Sequence, residues 1–176
     1  MLRIIPVDFR NNLFRVERII PSNIENEILK IDWLSEPWSR QEAQETWARR
    51  KINRNYSIDM LHNWIISNIK NFSTVTKLDL KFASTAMWLD EEDFKVTPHP
   101  DTDKIHVALQ IFWSYNCVNL GTKFYHNATT IRYDFPYIIN TGYLMINNPR
   151  QIHGMMNPVP KGTYRLSSYT AFTTGL

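Results

Sequence analysis

Several features that would assign this chain of 176 residues to a familiar class are scarce or missing. A single cysteine, Cys117, excludes an intrachain disulfide and a cysteine-rich zinc site, and it favours a reducing, cytoplasmic environment. No run approaches the roughly 18 consecutive apolar residues of a membrane span, so we expect no membrane partner. The N-terminal residues MLRIIPVDFRNN lack the apolar stretch and cleavage site of a signal peptide, so we expect a cytoplasmic protein.

A strong charge of either sign is also missing. The 20 Lys and Arg residues against 17 Asp and Glu residues leave a net charge of +3, which does not favour nucleic acid as a partner. Disorder is excluded because 43% of the residues are hydrophobic and 13% are aromatic. With no repeat and no low-complexity tract, the length predicts one domain that spans residues 1–176.

The pattern of residues 1–76 predicts a mostly helical support, after two short strands. Capping boxes that begin at Ser22 and Ser39 predict a short helix and a second helix that runs to about Arg50. Ser57 is predicted to cap a third helix, in which apolar residues recur at helical spacing. These helices place a small basic cluster at a solvated helix end: Arg49, Arg50, Lys51 and Arg54.

The pattern changes to a period of two in residues 77–176, which predicts the β core of the domain. Turn residues separate the predicted strands, and the acidic run 90–93 is interpreted as a charged turn. Helices followed by strands indicate a mainly β fold with an N-terminal helical layer, a sandwich or jelly roll. The predicted strands lie at 77–82, 104–113, 123–125, 131–133, 143–146 and 164–172.

Two histidines and one aspartate form a widely split pattern. His99 and Asp101 are two residues apart, so the end of one strand can aim both side chains at one point. His153 follows far along the chain and has to fold back to join them. Two imidazoles and one carboxylate on one face are the ligand set of non-haem Fe(II) oxygenases, which leaves positions open for co-substrate and O₂.

A second pattern lies on two of the predicted strands. Arg165 and Ser167 share one face of the last strand, and a forked cation beside a hydroxyl is suited to binding a carboxylate. In the strand 104–113, His106 and Gln110 lie on the face opposite the aliphatic one. Because buried polar side chains need partners, this face could line a polar cavity.

Six segments, taken in order, resemble the double-stranded β-helix core of the Fe(II)- and 2-oxoglutarate-dependent oxygenases, a jelly-roll, cupin-like fold. They most resemble the branch that contains the prolyl 4-hydroxylases and related small bacterial and phage enzymes. The segments are TPHPD (97–101), VALQIFW (107–113), GTKFY (121–125), NTGYLMINN (140–148), IHGM (152–155) and KGTYRLSSYTAF (161–172).

The resemblance implies a role for each matching residue. Iron would be bound by His99, Asp101 and His153, and the distal carboxylate of 2-oxoglutarate by Arg165 with Ser167. A tyrosine that lines the 2-oxoglutarate pocket in some members is replaced here near Phe112 or Gln110, and Gln110 would contact the co-substrate. The chain departs from many prolyl hydroxylases in having Arg165 instead of lysine. It also shortens a Gly-Gly-Glu-Thr-x-Phe segment to GTKF at 121–124.

The implied activity is that of an Fe(II)- and 2-oxoglutarate-dependent dioxygenase that hydroxylates a C–H bond. The substrate would be a peptide or a small molecule, O₂ the second co-substrate, and ascorbate a supporting reductant. Two alternatives stay open, a non-catalytic cupin-like binding module and a metal-dependent hydrolase that uses the same His/Asp/His set.

Overall fold

A computed structural model describes residues 2–8, 12–37, 39–40, 49–52, 54–101, 107–113, 119–127 and 129–174. Two of the residues considered above, His106 and Cys117, lie outside these ranges. The helices are α1 (Ser22–Leu29), α2 (Tyr56–Ser67) and α3 (Ile69–Thr76). The strands are β1 (Ile4–Asp8), β2 (Leu13–Glu17), β3 (Ser39–Arg40), β4 (Arg49–Ile52), β5 (Leu80–Asp90), β6 (Val96–His99), β7 (Val107–Phe112), β8 (Lys123–Tyr125), β9 (Ile131–Asp134), β10 (Thr141–Ile146), β11 (His153–Met155) and β12 (Arg165–Thr174).

The strands form two sheets in which all neighbours pair antiparallel. The larger sheet has the order β1-β2-β10-β7-β12-β5-β4-β3, and the smaller has the order β6-β11-β8-β9. Strands that are distant in the chain, such as β7 and β12, are neighbours in the sheet, as in a jelly roll. The mainly β fold predicted from the sequence is therefore confirmed.

Strand β7 shows how the sequence separates the two layers of the core. Its odd-numbered residues, Val107, Leu109 and Ile111, belong to the apolar cluster that the helices cover. Its even-numbered residues Ala108 and Phe112 belong to a second cluster, which contains Phe124 of the smaller sheet. The strict alternation of a strand explains this division, and it sends Gln110 to the space between the sheets.

The helices cover the outer face of the larger sheet. Helix α2 buries Ile58, Leu61 and Ile65, which lie three or four residues apart on one stripe. The side chain of Asn55, rather than Ser57, caps this helix by accepting a 2.9 Å hydrogen bond from the amide of Ile58. Within the described residues, none of the helices has the length and apolar character that crossing a bilayer requires.

The helix predicted from Ser39 to about Arg50 is wrong at both ends. Ser39–Arg40 and Arg49–Ile52 are strands that pair with each other, and β4 also pairs with β5. Residues 41–48 of the predicted helix lie outside the described residues. The capping pattern is local, whereas pairing with β5 supplies hydrogen bonds and burial from a distant part of the chain. As a result the basic residues 49–51 lie on a strand of the larger sheet.

Candidate active site

The pairing of β6 with β11 brings the two histidines together. His153 is the register partner of His99, and Asp101 follows two residues after His99 at the end of β6. The Nε2 atoms of His99 and His153 lie 3.9 Å and 3.6 Å from Oδ1 of Asp101. All three donor atoms lie within 4.8 Å of one another. Three atoms that are each about 4 Å apart surround a central point about 2.3 Å from each of them. This distance is close to the metal–ligand bond lengths of about 2.0–2.2 Å.

Both histidines are held with Nε2 turned toward this centre. Nδ1 of His99 lies 2.8 Å from the carbonyl of Thr97, and Nδ1 of His153 lies 3.0 Å from the carbonyl of Gln151. A carbonyl only accepts, so each Nδ1 carries the proton and each Nε2 offers its lone pair to a metal. Burial also lowers the pKa of His153 from its ordinary value, although the attraction of Asp101 opposes the shift. The donor set thus fits a divalent transition-metal ion.

The carboxylate of Asp101 is oriented by Tyr169 of β12. The Tyr169 hydroxyl donates a 3.1 Å hydrogen bond to Oδ2, the oxygen that does not face the histidines. Burial, and then the negative charge of Asp101, raise the pKa of Tyr169 well above its ordinary value. The tyrosine therefore stays a neutral donor at physiological pH.

Arg165 lines the same cavity and is 2% exposed. Its guanidinium donates to the carbonyl of Leu120 at 2.8 Å, to Asp90 at 2.7 Å and to the hydroxyl of Thr122 at 3.4 Å. The fork of an arginine has five N–H groups, so three have partners among the described residues. The other two, one on each terminal nitrogen, have no hydrogen-bond partner among the described residues.

Ser167 and Gln110 belong to a polar network instead of contacting Arg165. Nε2 of Gln110 donates to the Ser167 hydroxyl at 3.1 Å. Oε1 of Gln110 accepts from Tyr143 at 2.7 Å and from Thr122 at 3.3 Å. Gln110 lines the cavity, whereas the fully buried Ser167 does not. The hydroxyl that contacts Arg165 is that of Thr122, which lies in the shortened GTKF segment.

Sequence reasoning missed Asp90 and Arg49, which it assigned to a charged turn and a solvated helix end. Asp90 ends strand β5 and is 0% exposed. Arg49 donates hydrogen bonds to both carboxylate oxygens of Asp90, and Arg165 donates a hydrogen bond to one of them. Burial lowers the pKa of Arg49, while Asp90 counteracts the shift. The observed strand β5 extends to Asp90, which shares a face with Trp88, whereas the strand predicted from the sequence ended at residue 82.

One cavity of about 370 Å³ is lined by the His99, Asp101 and His153 side chains and by Arg165. The cavity lies between the two sheets, so the three possible metal donors and Arg165 face the same space. The remaining lining is a mixture of aromatic, small and polar side chains, with two further cations, Arg49 and Lys51, contributed by β4. A cavity of this size and polarity suits a small ligand held at both ends by polar groups.

Comparisons with known proteins support the fold. No family model matches the chain, and no curated protein sequence does. A prolyl hydroxylase from Trichoplax adhaerens, in complex with a peptide fragment of the oxygen degradation domain of hypoxia inducible factor, superposes with a TM-score of 0.74. It has 10% identity, over 93% of this chain and 84% of that one.

Two more solved structures are similar. A prolyl-4-hydroxylase from Pseudomonas putida has a TM-score of 0.70 and 12% identity, over 94% of each chain. HygX from Streptomyces hygroscopicus, with nickel and 2-oxoglutarate bound, has a TM-score of 0.63 and 10% identity, over 94% of this chain and 84% of that one. The resemblance inferred from the sequence is thus confirmed for the fold. The chain has the jelly roll of prolyl hydroxylases and other 2-oxoglutarate-dependent oxygenases, with a His-Asp-His site inside it.

Proposed function

We propose that this protein is an Fe(II)- and 2-oxoglutarate-dependent dioxygenase that hydroxylates a C–H bond of a peptide or small-molecule substrate. The observation that carries the proposal is the content of one cavity. It holds three donors with their lone pairs directed at a common centre, and a buried guanidinium with two N–H groups left for a ligand. Neither alternative, a binding module or a hydrolase, requires both a three-donor metal site and a buried guanidinium in the same cavity.

The three donors divide the work of binding the metal. His99, Asp101 and His153 would hold Fe(II) and leave three of six octahedral positions for ligands. When bound, the ion would supply the oxidative chemistry, in which the substrate C–H bond, 2-oxoglutarate and O₂ give the hydroxylated product, succinate and CO₂. Ascorbate would keep the iron reduced between turnovers. The protein supplies position, charge and exclusion of water.

Arg165 would orient 2-oxoglutarate. A carboxylate that accepts from the two remaining terminal N–H groups forms a charge-assisted, bidentate contact. The five-carbon chain would then extend from Arg165 toward His99, Asp101 and His153. The network of Gln110, Thr122 and Tyr143 would line this path and offer no unpaired charge to the ligand.

The substrate would reach the centre from the side of His99. The side chain of His99 is 40% exposed, whereas that of His153 is 9% exposed. Trp88 and Val96, which also line the cavity, lie before His99 in the sequence and would form part of the entrance. An opening on this side admits either a small molecule or an extended peptide segment.

The test is turnover of 2-oxoglutarate by the full chain. We expect Fe(II)-dependent formation of succinate, raised by a suitable substrate from a panel of peptides, amino acids and other metabolites. Asp101→Ala should abolish it, because one of three metal donors is lost. Asp79→Ala is the matched control, since the Asp79 side chain is 76% exposed and does not line the cavity.

The same experiment distinguishes the alternatives. A binding module would take up 2-oxoglutarate without forming succinate. A hydrolase would work with Zn(II) and would not consume 2-oxoglutarate. Either result in the wild-type protein, across the panel, would refute the proposal.

A further inference from the structure

A row of three charged side chains crosses the larger sheet at the edge of the cavity. Asp90 on β5 is the register partner of Arg49 on β4 and of Arg165 on β12. Neighbouring register partners have side chains on the same face of a sheet, so the three lie side by side. Asp90 is 0% exposed, and the side chains of Arg165 and Arg49 are 2% and 11% exposed.

The central carboxylate is shared between the two arginines. Arg49 donates through Nε to Oδ1 of Asp90 and through Nη2 to Oδ2, the latter at 3.0 Å. Arg165 donates through Nη1 to the same Oδ2 at 2.7 Å. A single buried anion therefore has two cations in direct contact.

Arg49 is fixed in this place by aromatic rings. Its guanidinium carbon lies 4.1 Å from the ring centroid of Trp88 and 4.2 Å from that of Phe94. Contacts of this kind with ring faces favour the cation. The position of Arg49 is thus determined by both its charge and its planar shape.

The charges of the row do not cancel. Two guanidinium groups and one carboxylate leave a net charge of one positive unit on side chains that are almost fully buried. If Asp90 had only Arg165 as its partner, the pair would be neutral, and a ligand carboxylate beside Arg165 would also meet the nearby negative charge of Asp90. Such repulsion is strong in a buried site because screening is weak.

We propose that Arg49 is a positioning residue for the co-substrate: it neutralises Asp90, so that the charge of Arg165 remains available to the distal carboxylate of 2-oxoglutarate. This inference rests on the proposed function, because it assumes that 2-oxoglutarate binds at Arg165. Asp90 then has the separate task of holding the Arg165 guanidinium at a fixed angle.

The test compares single and double variants of the full chain, loaded with Mn(II) so that no turnover occurs. The binding of 2-oxoglutarate is measured by calorimetry. Arg49→Met should weaken it about 10- to 100-fold, the factor expected for losing one unit charge several ångströms from the ligand. Arg49→Lys keeps the charge and should stay within about fivefold of the wild-type affinity. Adding Asp90→Asn to Arg49→Met restores a net charge of one positive unit, and affinity should recover to within about fivefold of wild type.

A second ligand separates charge from general disruption. 2-Oxovalerate has the same keto acid end but a methyl group where 2-oxoglutarate has its distal carboxylate. Arg49→Met should change the affinity for 2-oxovalerate less than threefold, and Mn(II) affinity should be unchanged. If Arg49 only anchored β4 to β5, Arg49→Met would lower the affinities for both ligands equally. Adding Asp90→Asn would then lower both affinities further.

Three results would overturn the inference while leaving the proposed function standing. They are wild-type affinity in Arg49→Met, no recovery in the double variant, and equal losses for the two ligands. If Arg49→Met does not fold, the 2-oxoglutarate affinity of the double variant is the deciding measurement. This variant buries no unpaired carboxylate and should bind 2-oxoglutarate like wild type. Failure of the wild-type protein with Mn(II) to bind 2-oxoglutarate would overturn the inference and the proposed function together.

Discussion

The hydroxyl of Tyr169 donates to Oδ2 of Asp101 at 3.1 Å, while Oδ1 of the same carboxylate faces both histidines. One oxygen is therefore tied to strand β12 and the other is presented to the candidate metal centre. Tyr169 lies four residues after Arg165 on the same face of β12. A single strand thus connects the candidate metal donors to the residue proposed to bind 2-oxoglutarate.

Tyr169→Phe should lower metal affinity about tenfold, the lower end of the range measured for hydrogen bonds to metal ligands. Without the hydroxyl, Asp101 loses the donor that fixes its orientation. Competition of Mn(II) with a chromogenic chelator measures the change. Tyr133→Phe is the matched control, since it removes a 3.2 Å hydrogen bond to the carbonyl of Val7 outside the cavity. Equal affinities of wild type and Tyr169→Phe would contradict the orienting role.

Arg165→Ala should weaken 2-oxoglutarate binding by about 30-fold or more, because a buried charge pair contributes about 2–5 kcal/mol when one partner is truncated. Arg165→Lys should lose less, since it keeps the charge but not the fork. The folded state should survive, because Asp90 still has Arg49 as a partner. Calorimetry with Mn(II) present measures the affinity.

Metal affinity in the Arg165 variants should equal that of the wild type, because no metal donor is touched. Arg3→Ala, at a side chain that is 69% exposed, serves as the control for loss of a positive charge. A 2-oxoglutarate affinity that is unchanged in Arg165→Ala would place the co-substrate elsewhere, even if the metal site is correct.

Acid should destabilise the metal-free protein partly through His153. Burial lowers the pKa of His153 in the folded state below its ordinary value of 6.5. At pH values between the folded-state pKa of His153 and 6.5, the unfolded chain binds the proton more readily than the folded protein. The free energy of unfolding therefore rises with pH in this range. The contribution is fully present above about pH 6.5 and is lost as the pH falls through the folded-state pKa.

Urea unfolding of metal-free wild type and His153→Gln, at pH 7.5 and 5.5, checks this prediction. The wild-type protein should lose more stability on acidification than the variant, which has no proton to gain at this position. The same loss in both proteins would show that other groups account for the acid sensitivity.

Gly154→Ala should damage both stability and metal binding. A Cβ at Gly154 would lie 2.7 Å from the carbonyl oxygen of Val96 and 3.1 Å from the nitrogen of Pro98, so strand β6 has to move away from β11. A loss of about 1–3 kcal/mol is expected for forcing a group into a packed site. Because β6 carries His99 and β11 carries His153, metal affinity should fall as well.

Gly162→Ala is the control for this substitution. Gly162 lies in a turn with φ of +73°, and a Cβ there would meet no atom within 4 Å. The change should cost about 1 kcal/mol through the unfavourable backbone angle. Metal affinity should not change, and a parallel loss of metal affinity in both variants would contradict the local explanation.

The amino-acid sequence was sufficient to predict most of the β core. Strand 123–125 was predicted within its observed bounds, and β7 lies inside the predicted strand 104–113, whose first residues, 104–106, are outside the described part. Strand β7 was predictable because it is a short apolar run, buried at all six positions, whose aliphatic residues recur at period two, and both are local signals. The candidate donors His99, Asp101 and His153, which the structure brings together, were recognisable because a possible metal site depends on residue type at few positions.

The tertiary structure alone decided where the charges lie. Arg49 and Asp90 are 41 residues apart in the chain, and each taken alone has the character of a solvated side chain. The same holds for Thr122, just before β8, and Tyr169 of β12, whose hydroxyls contact Arg165 and Asp101, respectively. A buried ion pair leaves no periodic pattern, since its energy comes from a partner that only long-range strand pairing brings into contact. The sequence therefore determined the layers of the fold and the candidate metal donors, and the pairing of β4, β5 and β12 determined the charge in the same cavity.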